Sequence, residues 1–305
     1  MKVIFFGSTF DSVLILEKLR DHACAVVTQP PRPVGRKQQL TPTPVEMWAK
    51  EHAVTTVSFP SNPEKPWLYA DEQQVIDTLE SLKADLFVSA CYGQKIPWET
   101  IASARFGGLN VHPSLLPRWR GADPVPWAIL SGDRQTGVTI VTLSKEFDEG
   151  VVIAQKKVPI TDADTSDALR TKLFTLGADL LAEVLPKYLA KQPIHPFTHS
   201  PITQLPYARR LTREDGFEPW EAIRKAFADS EEAKRIERKF RAFTPWPGLW
   251  TKIRIMNHEL GIMEEKRLKM LGLSLIAYRL SLDLVQLEGK RPVSWKQFQE
   301  GYLPS

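Results

Sequence analysis

Short apolar runs alternate with amphipathic segments across residues 1–91, and this alternation limits the fold more than any other feature of the chain. Residues 1–7 (Met-Lys-Val-Ile-Phe-Phe-Gly) read as a short buried strand, and Val13, Leu14, Leu16 and Leu19 then recur at helical spacing. Residues 24–28, 56–59 and 84–91 supply three more buried strands, with helical patterns at 44–52 and 72–83. Strands that alternate with helices predict an α/β domain, a mostly parallel sheet covered on both faces, with ligands outside the carboxyl ends of its strands. Gly7 and Gly35 stand outside any G-x-G-x-x-G pattern, so no dinucleotide fingerprint is present.

Two stretches depart from routine α/β connections. Residues 29–44 hold five prolines with Arg32, Arg36 and Lys37, too long and too cationic for an ordinary link. This stretch is either a solvated surface loop or a semi-rigid arm that reaches phosphates. Residues 109–121 (Leu-Asn-Val-His-Pro-Ser-Leu-Leu-Pro-Arg-Trp-Arg-Gly) read as a strand end, a polar pair and a proline-stiffened loop. Asn110 and His112 are two apart, so an extended backbone sends both side chains to one face. That face then carries a carboxamide donor beside a group that titrates near neutrality. An Asn and a His that only satisfy each other in a turn fit the same spacing.

The strand ends at 92–97 and 107–109 are expected to be neighbours. Beyond them, residues 124–130 read as a helix, 137–143 and 151–158 as strands, and 166–191 as a long leucine-striped helix that marks a core face. Asp148 sits in the turn 147–150 between the two strands, where it is either a turn former or a carboxylate aimed at Asn110 and His112. Cys24 and Cys91 lie in apolar runs without ligand spacing and read as buried thiols; no metal site is expected. His195, His199 and His258 lack ligand spacing too.

The proline-rich stretch 193–206 suggests a linker, dividing the chain into domains 1–192 and 207–305. The first 202 residues carry 21 basic against 22 acidic side chains, and the remainder 19 against 14. The positive charge therefore sits at the carboxyl end. It suits either a polyanionic partner or a mildly basic domain without one. That end reads as a charged helix at 230–243, strand-like alternation with short breaks at 249–255 and 266–287, and a helix or strand at 295–299, together a small barrel-like β domain with one helix. The amino end lacks a signal-peptide layout and no apolar run approaches membrane-spanning length, which points to the cytoplasm.

The motifs together carry a resemblance. Asn110-Val-His112-Pro-Ser-Leu-Leu-Pro117-Arg-Trp-Arg-Gly-Ala122, Thr136-Gly-Val-Thr139, Phe147-Asp148-Glu-Gly150, Arg32-Pro-Val-Gly-Arg36, Ala90-Cys-Tyr92-Gly93-Gln94 and Arg241-Ala-Phe-Thr-Pro-Trp-Pro247 resemble the methionyl-tRNA formyltransferase family along nearly the whole chain. The pattern departs at Lys95, Asp123 and Glu149-Gly150-Val151. The resemblance implies a Rossmann-like formyltransferase domain that holds 10-formyltetrahydrofolate, and a small OB-like β-barrel that helps hold the initiator methionyl-tRNA. It implies that Asn110 and His112 donate to the oxyanion, and that Asp148 orients His112, favours its protonated form and relays the amine proton. Tyr92, Gly93, Ser114, Leu115, Leu116 and Pro117 are expected to line the folate site, with Leu116–Pro117 a candidate cis bond. Arg36, Lys37, Arg209 and Arg210 are expected at the tRNA, together with Lys234, Arg235, Arg238 and Lys239. No membrane partner and a monomer are expected. A formyltransferase acting on a nucleotide-linked amino sugar is the alternative, using the same three polar residues.

Overall fold

The computed structural model describes residues 1–35, 37–190, 205–257 and 262–303. Two units emerge. The first comprises Met1–Pro124, Gln135–Pro159 and Arg170–Ala208, the second Val125–Arg134, Ile160–Leu169 and Arg209–Ser305.

In the first unit the chain forms β1 (Val3–Phe6), α1 (Phe10–Lys18), β2 (Ala23–Thr28), β3 (Arg32–Val34), β4 (Gln39–Thr41), α2 (Pro44–Glu51), β5 (Thr55–Ser58), α3 (Glu72–Ser81), β6 (Leu86–Ser89), α4 (Trp98–Ser103), β7 (Gly108–His112) and β8 (Arg120–Gly121). After α5 (Pro124–Leu130) come β9 (Gln135–Thr142), β10 (Val152–Pro159), α6 (Ser166–Leu189) and β11 (Tyr207–Ala208). Seven strands make one sheet in the order β10-β9-β7-β6-β1-β2-β5. The five from β5 to β7 are parallel, whereas β9 runs antiparallel to β7 and β10 antiparallel to β9. The sheet is mixed at that end.

The unbroken apolar run of β1 has a direct cause. Val3 and Phe5 pack into a core with Leu16, Trp48, Phe174 and Leu181, while Ile4 and Phe6 pack on the other side with Phe59, Val75 and Phe87. Successive residues leave opposite faces of a strand, so a sheet covered twice needs both to be apolar. Each such side chain contributes about 1.5–3 kcal/mol of burial. The Ser8-Thr9 end of β1 serves as a helix cap. Thr9 Oγ1 accepts from the Ser12 amide at 3.2 Å, and Ser12 Oγ donates to the Ala90 carbonyl at 2.7 Å.

The stretch 29–44 contains more than a loop. Its residues pair as the hairpin β3–β4, Arg32 opposite Thr41 and Val34 opposite Gln39. Helix α4, unforeseen in the sequence, follows Pro97, whose position before the helix signals its start.

The second unit contains α7 (Trp220–Ala226), α8 (Ser230–Phe243), β12 (Leu249–Asn257), β13 (Ile262–Ile276), β14 (Arg279–Leu287), β15 (Val293–Ser294) and α9 (Trp295–Tyr302). Asp229 caps α8 by accepting from the amides of Glu231 and Glu232. The four strands form an antiparallel sheet in the order β12-β13-β14-β15. Among the described residues no pairing joins β15 back to β12, so the expected barrel is an open sheet. Ile223, Ile236 and Phe298, from three helices, fill one core with Leu249, Ile253, Leu268, Leu282 and Val285, and that helical packing covers the sheet face without closure. Among the described residues, no helix is long and apolar enough to cross a membrane.

Candidate active site

Strand β7 ends where the sheet changes direction. Asn110 pairs with Ser89 of parallel β6 and with Val141 of antiparallel β9, and His112 pairs with Thr139. Period-two geometry sends both side chains to one face, where they meet Asp148. Asn110 Nδ2 donates to Asp148 Oδ1 at 3.3 Å, His112 Nδ1 lies 3.4 Å from the same oxygen, and the Gly121 amide donates to Oδ2 at 2.9 Å. The His112 and Asp148 side chains are only 5% and 8% exposed, so this contact is shielded from bulk water. His112 Nε2 faces the Trp119 carbonyl at 3.0 Å. A carbonyl only accepts, so Nε2 carries the hydrogen, and the partners thereby select the tautomer.

The turn that presents Asp148 is fixed by its backbone. Asp148 has φ 58°, a left-handed conformation that Asp tolerates. A Cβ at Gly150 would stand 1.8 Å from the Thr142 carbonyl, so only glycine lets the turn fold against β9. Thr142 Oγ1 accepts from the Val151 amide at 2.8 Å and fastens the returning strand. Beside Asp148, Glu149 pairs with Arg120.

The loop after His112 is braced from below. Thr139 Oγ1 donates to the Ser114 carbonyl at 2.6 Å and accepts from the Leu116 amide at 3.2 Å. Gln155 Nε2 donates to the Leu116 carbonyl at 2.7 Å. The Leu116–Pro117 bond is cis. Leu116 packs with Val141 and Val152, whereas Leu115 and Pro117 are half-buried. Ser114 is fully buried and donates to the Arg118 carbonyl at 2.8 Å, so its hydroxyl shapes the loop from within.

The β6 end shows the same division of labour. Gly93, with φ 87°, is exposed. Tyr92 is buried; its hydroxyl accepts from that of Tyr69 at 3.1 Å, and burial pushes its phenol up. Gln94 accepts from Gln29 Nε2 at 2.6 Å, and Gln29 Oε1 accepts from Arg32 at 2.8 Å, tying this loop to the base of the hairpin arm. Lys95 pairs with Glu146 at 3.4 Å. Burial pushes the Cys91 thiol up to about 12, which keeps it protonated and inert.

The cations separate into two groups. Lys37 is exposed on the arm; Arg36, His195, His199, His258 and residues 193–204 of the expected linker lie outside the described residues. Arg210 is exposed, while Arg209 donates to Asp215 and lies 4.9 Å from the Trp127 ring. On α8 the expectation of a phosphate-facing row fails for Arg235 and Lys239. Both donate to Glu218, a carboxylate only 5% exposed that the sequence did not single out. A buried carboxylate takes cations from the helix that packs on it, because unpaired it would be costly. Lys234 pairs with Glu231, and the Arg238 guanidinium lies over Gly132.

Sequence reading thus brings Asn110, His112 and Asp148 together correctly but misses Trp119, Gly121, Thr139 and Gln155. Thr139 belongs to a motif already noticed; Trp119 and Gly121 act through backbone atoms, which no residue type announces.

Several known proteins resemble this chain in sequence or fold. A family model described as formyl transferase matches residues 1–185. The methionyl-tRNA formyltransferase of Listeria welshimeri serovar 6b is 39% identical over 254 residues, 83% of this chain and 75% of that one. Phosphoribosylglycinamide formyltransferase from Bacillus halodurans is 25% identical with a TM-score of 0.51, over 65% of this chain and 100% of that one. An N-formyltransferase from Helicobacter canadensis, solved with folinic acid and dTDP-3-aminofucose, is alike in fold, with 16% identity and a TM-score of 0.58 over 94% of this chain and 95% of that one.

Proposed function

Because the chain belongs to the formyl transferase family, and within it to the methionyl-tRNA formyltransferases, we propose that it transfers the formyl group of 10-formyltetrahydrofolate to the α-amine of initiator methionyl-tRNA. The observation that carries the reading is the convergence of Asn110, His112 and the Gly121 amide on Asp148 at the end of β7. The surfaces beside it fit a flat heterocycle: exposed Gly93 offers backbone, and half-buried Leu115 and Pro117 offer apolar contact. Tyr92, Ser114 and Leu116 hold those surfaces from beneath.

The folate supplies an activated formyl group; the protein supplies placement and charge. Asn110 Nδ2 keeps a second N–H beyond the one given to Asp148, and His112 in its charged form, with Nε2 held by the Trp119 carbonyl, shares its Nδ1–H between Asp148 and the formyl oxygen. Both are aimed where negative charge grows on the formyl oxygen as the amine adds. Asp148 fixes His112 and takes the proton that the amine loses; the tetrahedral adduct then collapses, the bond from the formyl carbon to N10 breaks, and N10 leaves with that proton as tetrahydrofolate. Trp119 and Gly121 hold the two ends of this relay, so neither side chain reorganises during reaction.

Residues 1–192 act as the catalytic domain, 193–206 as the linker and 207–305 as the tRNA-holding domain, an OB-like module in this reading. Arg36, Lys37, Arg209 and Arg210 contact phosphate. The protein works as a monomer in the cytoplasm. One observation favours the small-amine alternative: Arg235 and Lys239 are already paired, which removes two cations from a polyanion surface. Formyl transfer to methionyl-initiator tRNA and to amino-sugar nucleotides, run across a salt series, separates the two. Transfer to tRNA that falls steeply with salt supports the proposal, and transfer only to the sugar overturns it.

A further inference from the structure

Tyr207 stands beside the catalytic carboxylate with no part in the relay. Strand β11 pairs in parallel with β8, Tyr207 opposite Arg120 and Ala208 opposite Gly121. This is the same Gly121 whose amide holds Asp148. Gly121 has φ 114°, and a Cβ there would meet the Tyr207 ring at 2.8 Å and the Ala208 carbonyl at 2.5 Å. The ring therefore lies against a backbone that only glycine leaves bare. Yet Tyr207 is 56% exposed, so it is not a core aromatic. Its phenol is raised by partial burial and then by the charge of Asp148, and lowered by that of Arg120, which places it within the field of the site.

We propose that Tyr207 seats the terminal nucleoside of the amine-bearing substrate, its exposed ring face stacking on the purine base. The inference rests on the functional reading above. The amine to be formylated is joined to the terminal ribose through one carbon and an ester, so the base must lie close to the Asp148 carboxylate. A half-exposed aromatic whose Cζ and Cε1 already lie against backbone leaves ring surface open to a base, and such stacks are sequence-tolerant. Arg120, in register with Tyr207 and paired with Glu149, borders the same seat.

The test uses the full chain with three amines: methionyl-tRNA, 2′(3′)-O-methionyladenosine and methionine methyl ester. For Tyr207→Ala the KM of the two adenosine-bearing substrates rises about tenfold, while kcat and the methyl ester KM hold. Tyr207→Phe keeps the ring and stays within about twofold of wild type. An equal loss on the methyl ester, or a fall in kcat at unchanged KM, overturns the seat, because Tyr207 would then act on the carboxylate or on folding. A second readout avoids turnover: binding of the non-hydrolysable 3′-methionylamido-3′-deoxyadenosine without formyl donor, followed by tryptophan fluorescence. Binding that Tyr207→Ala abolishes in a chain that formylates no amine sinks the transferase reading and keeps the seat. Transfer with binding unchanged in Tyr207→Ala sinks the seat alone.

Discussion

Two charged clusters in this molecule look alike in composition and differ in use. At the end of β7 one carboxylate, Asp148, gathers an amide, an imidazole and a backbone N–H, and Asn110 Nδ2 retains a second N–H for something else. Against α8 one carboxylate, Glu218, gathers Arg235 and Lys239, and their charges are taken up within the cluster: Arg235 also pairs with Glu232, and Lys239 donates to the Phe217 carbonyl. The first cluster is built from neutral or titratable donors, one of them with an N–H to spare, the second from permanent charges that neutralise each other. Density of charge therefore does not mark function here; unsatisfied, positioned donors do.

The sharpest way to break this contrast is to remove one donor from each cluster. His112→Ala or Asn110→Ala should lower turnover on the order of 10²–10³-fold with little change in thermal midpoint, because a donor aimed at developing charge matters only during reaction. A formylation assay beside a melting curve reads both. Should either variant keep near wild-type turnover, the relay is not the site.

Glu218→Ala should do the reverse. It leaves Arg235 and Lys239 without their buried counter-charge and should cost about 2 kcal/mol, below the range for a fully buried pair because Arg235 keeps half its surface in water. Urea unfolding of the intact chain measures the loss, and turnover per folded molecule should hold. A loss of turnover with no loss of stability would make α8 part of the catalytic machinery.

Protons sharpen the same comparison. Hydrogen bonds from Arg209 hold Asp215 down to about 2, and Glu218 is held below the usual range: burial raises it, but Arg235 and Lys239 outweigh burial. Both are depressed in the folded chain, so their contribution is complete above the unfolded carboxylate value near 4. It is lost as pH falls through the folded value, about 2 for Asp215. Melting curves from pH 5 to 2 should therefore fall less steeply for Asp215→Asn than for wild type. Parallel curves would mean that the Arg209 pair adds nothing to stability.

How much of this was legible beforehand follows from where the determinants lie. Asn110 and His112 are two apart on one strand, and period two is written in sequence. The β1 run betrays a doubly covered sheet because each of its four residues is apolar. Glu218 is invisible in the same way that its partners are, since Arg235 and Lys239 lie 17 and 21 residues away and only folding joins them. The β13–β14 hairpin turns at Ala277 and Tyr278, with φ 48° and 63°. Neither is a residue that announces such a turn, so the stretch 266–287 reads as strand-like with short breaks but does not say where its bend falls. The Gly121 amide and Trp119 carbonyl are backbone groups, common to every residue type, and become part of the site only through the loop's path.

The smallest effect asks which cations remain for a polyanion. Arg210 and Lys37 are exposed, whereas Lys239 is only 15% exposed and bound to Glu218. A cation that meets phosphate releases about one counterion, so Arg210→Ala and Lys37→Ala should each lower the slope of log affinity against log salt by about 1. Lys239→Met should leave that slope alone while it lowers stability. Binding of methionyl-tRNA across a salt series resolves such a change. A slope that drops with Lys239→Met and not with Arg210→Ala would show that the α8 cluster opens to take phosphate, and the division between the two clusters would not stand.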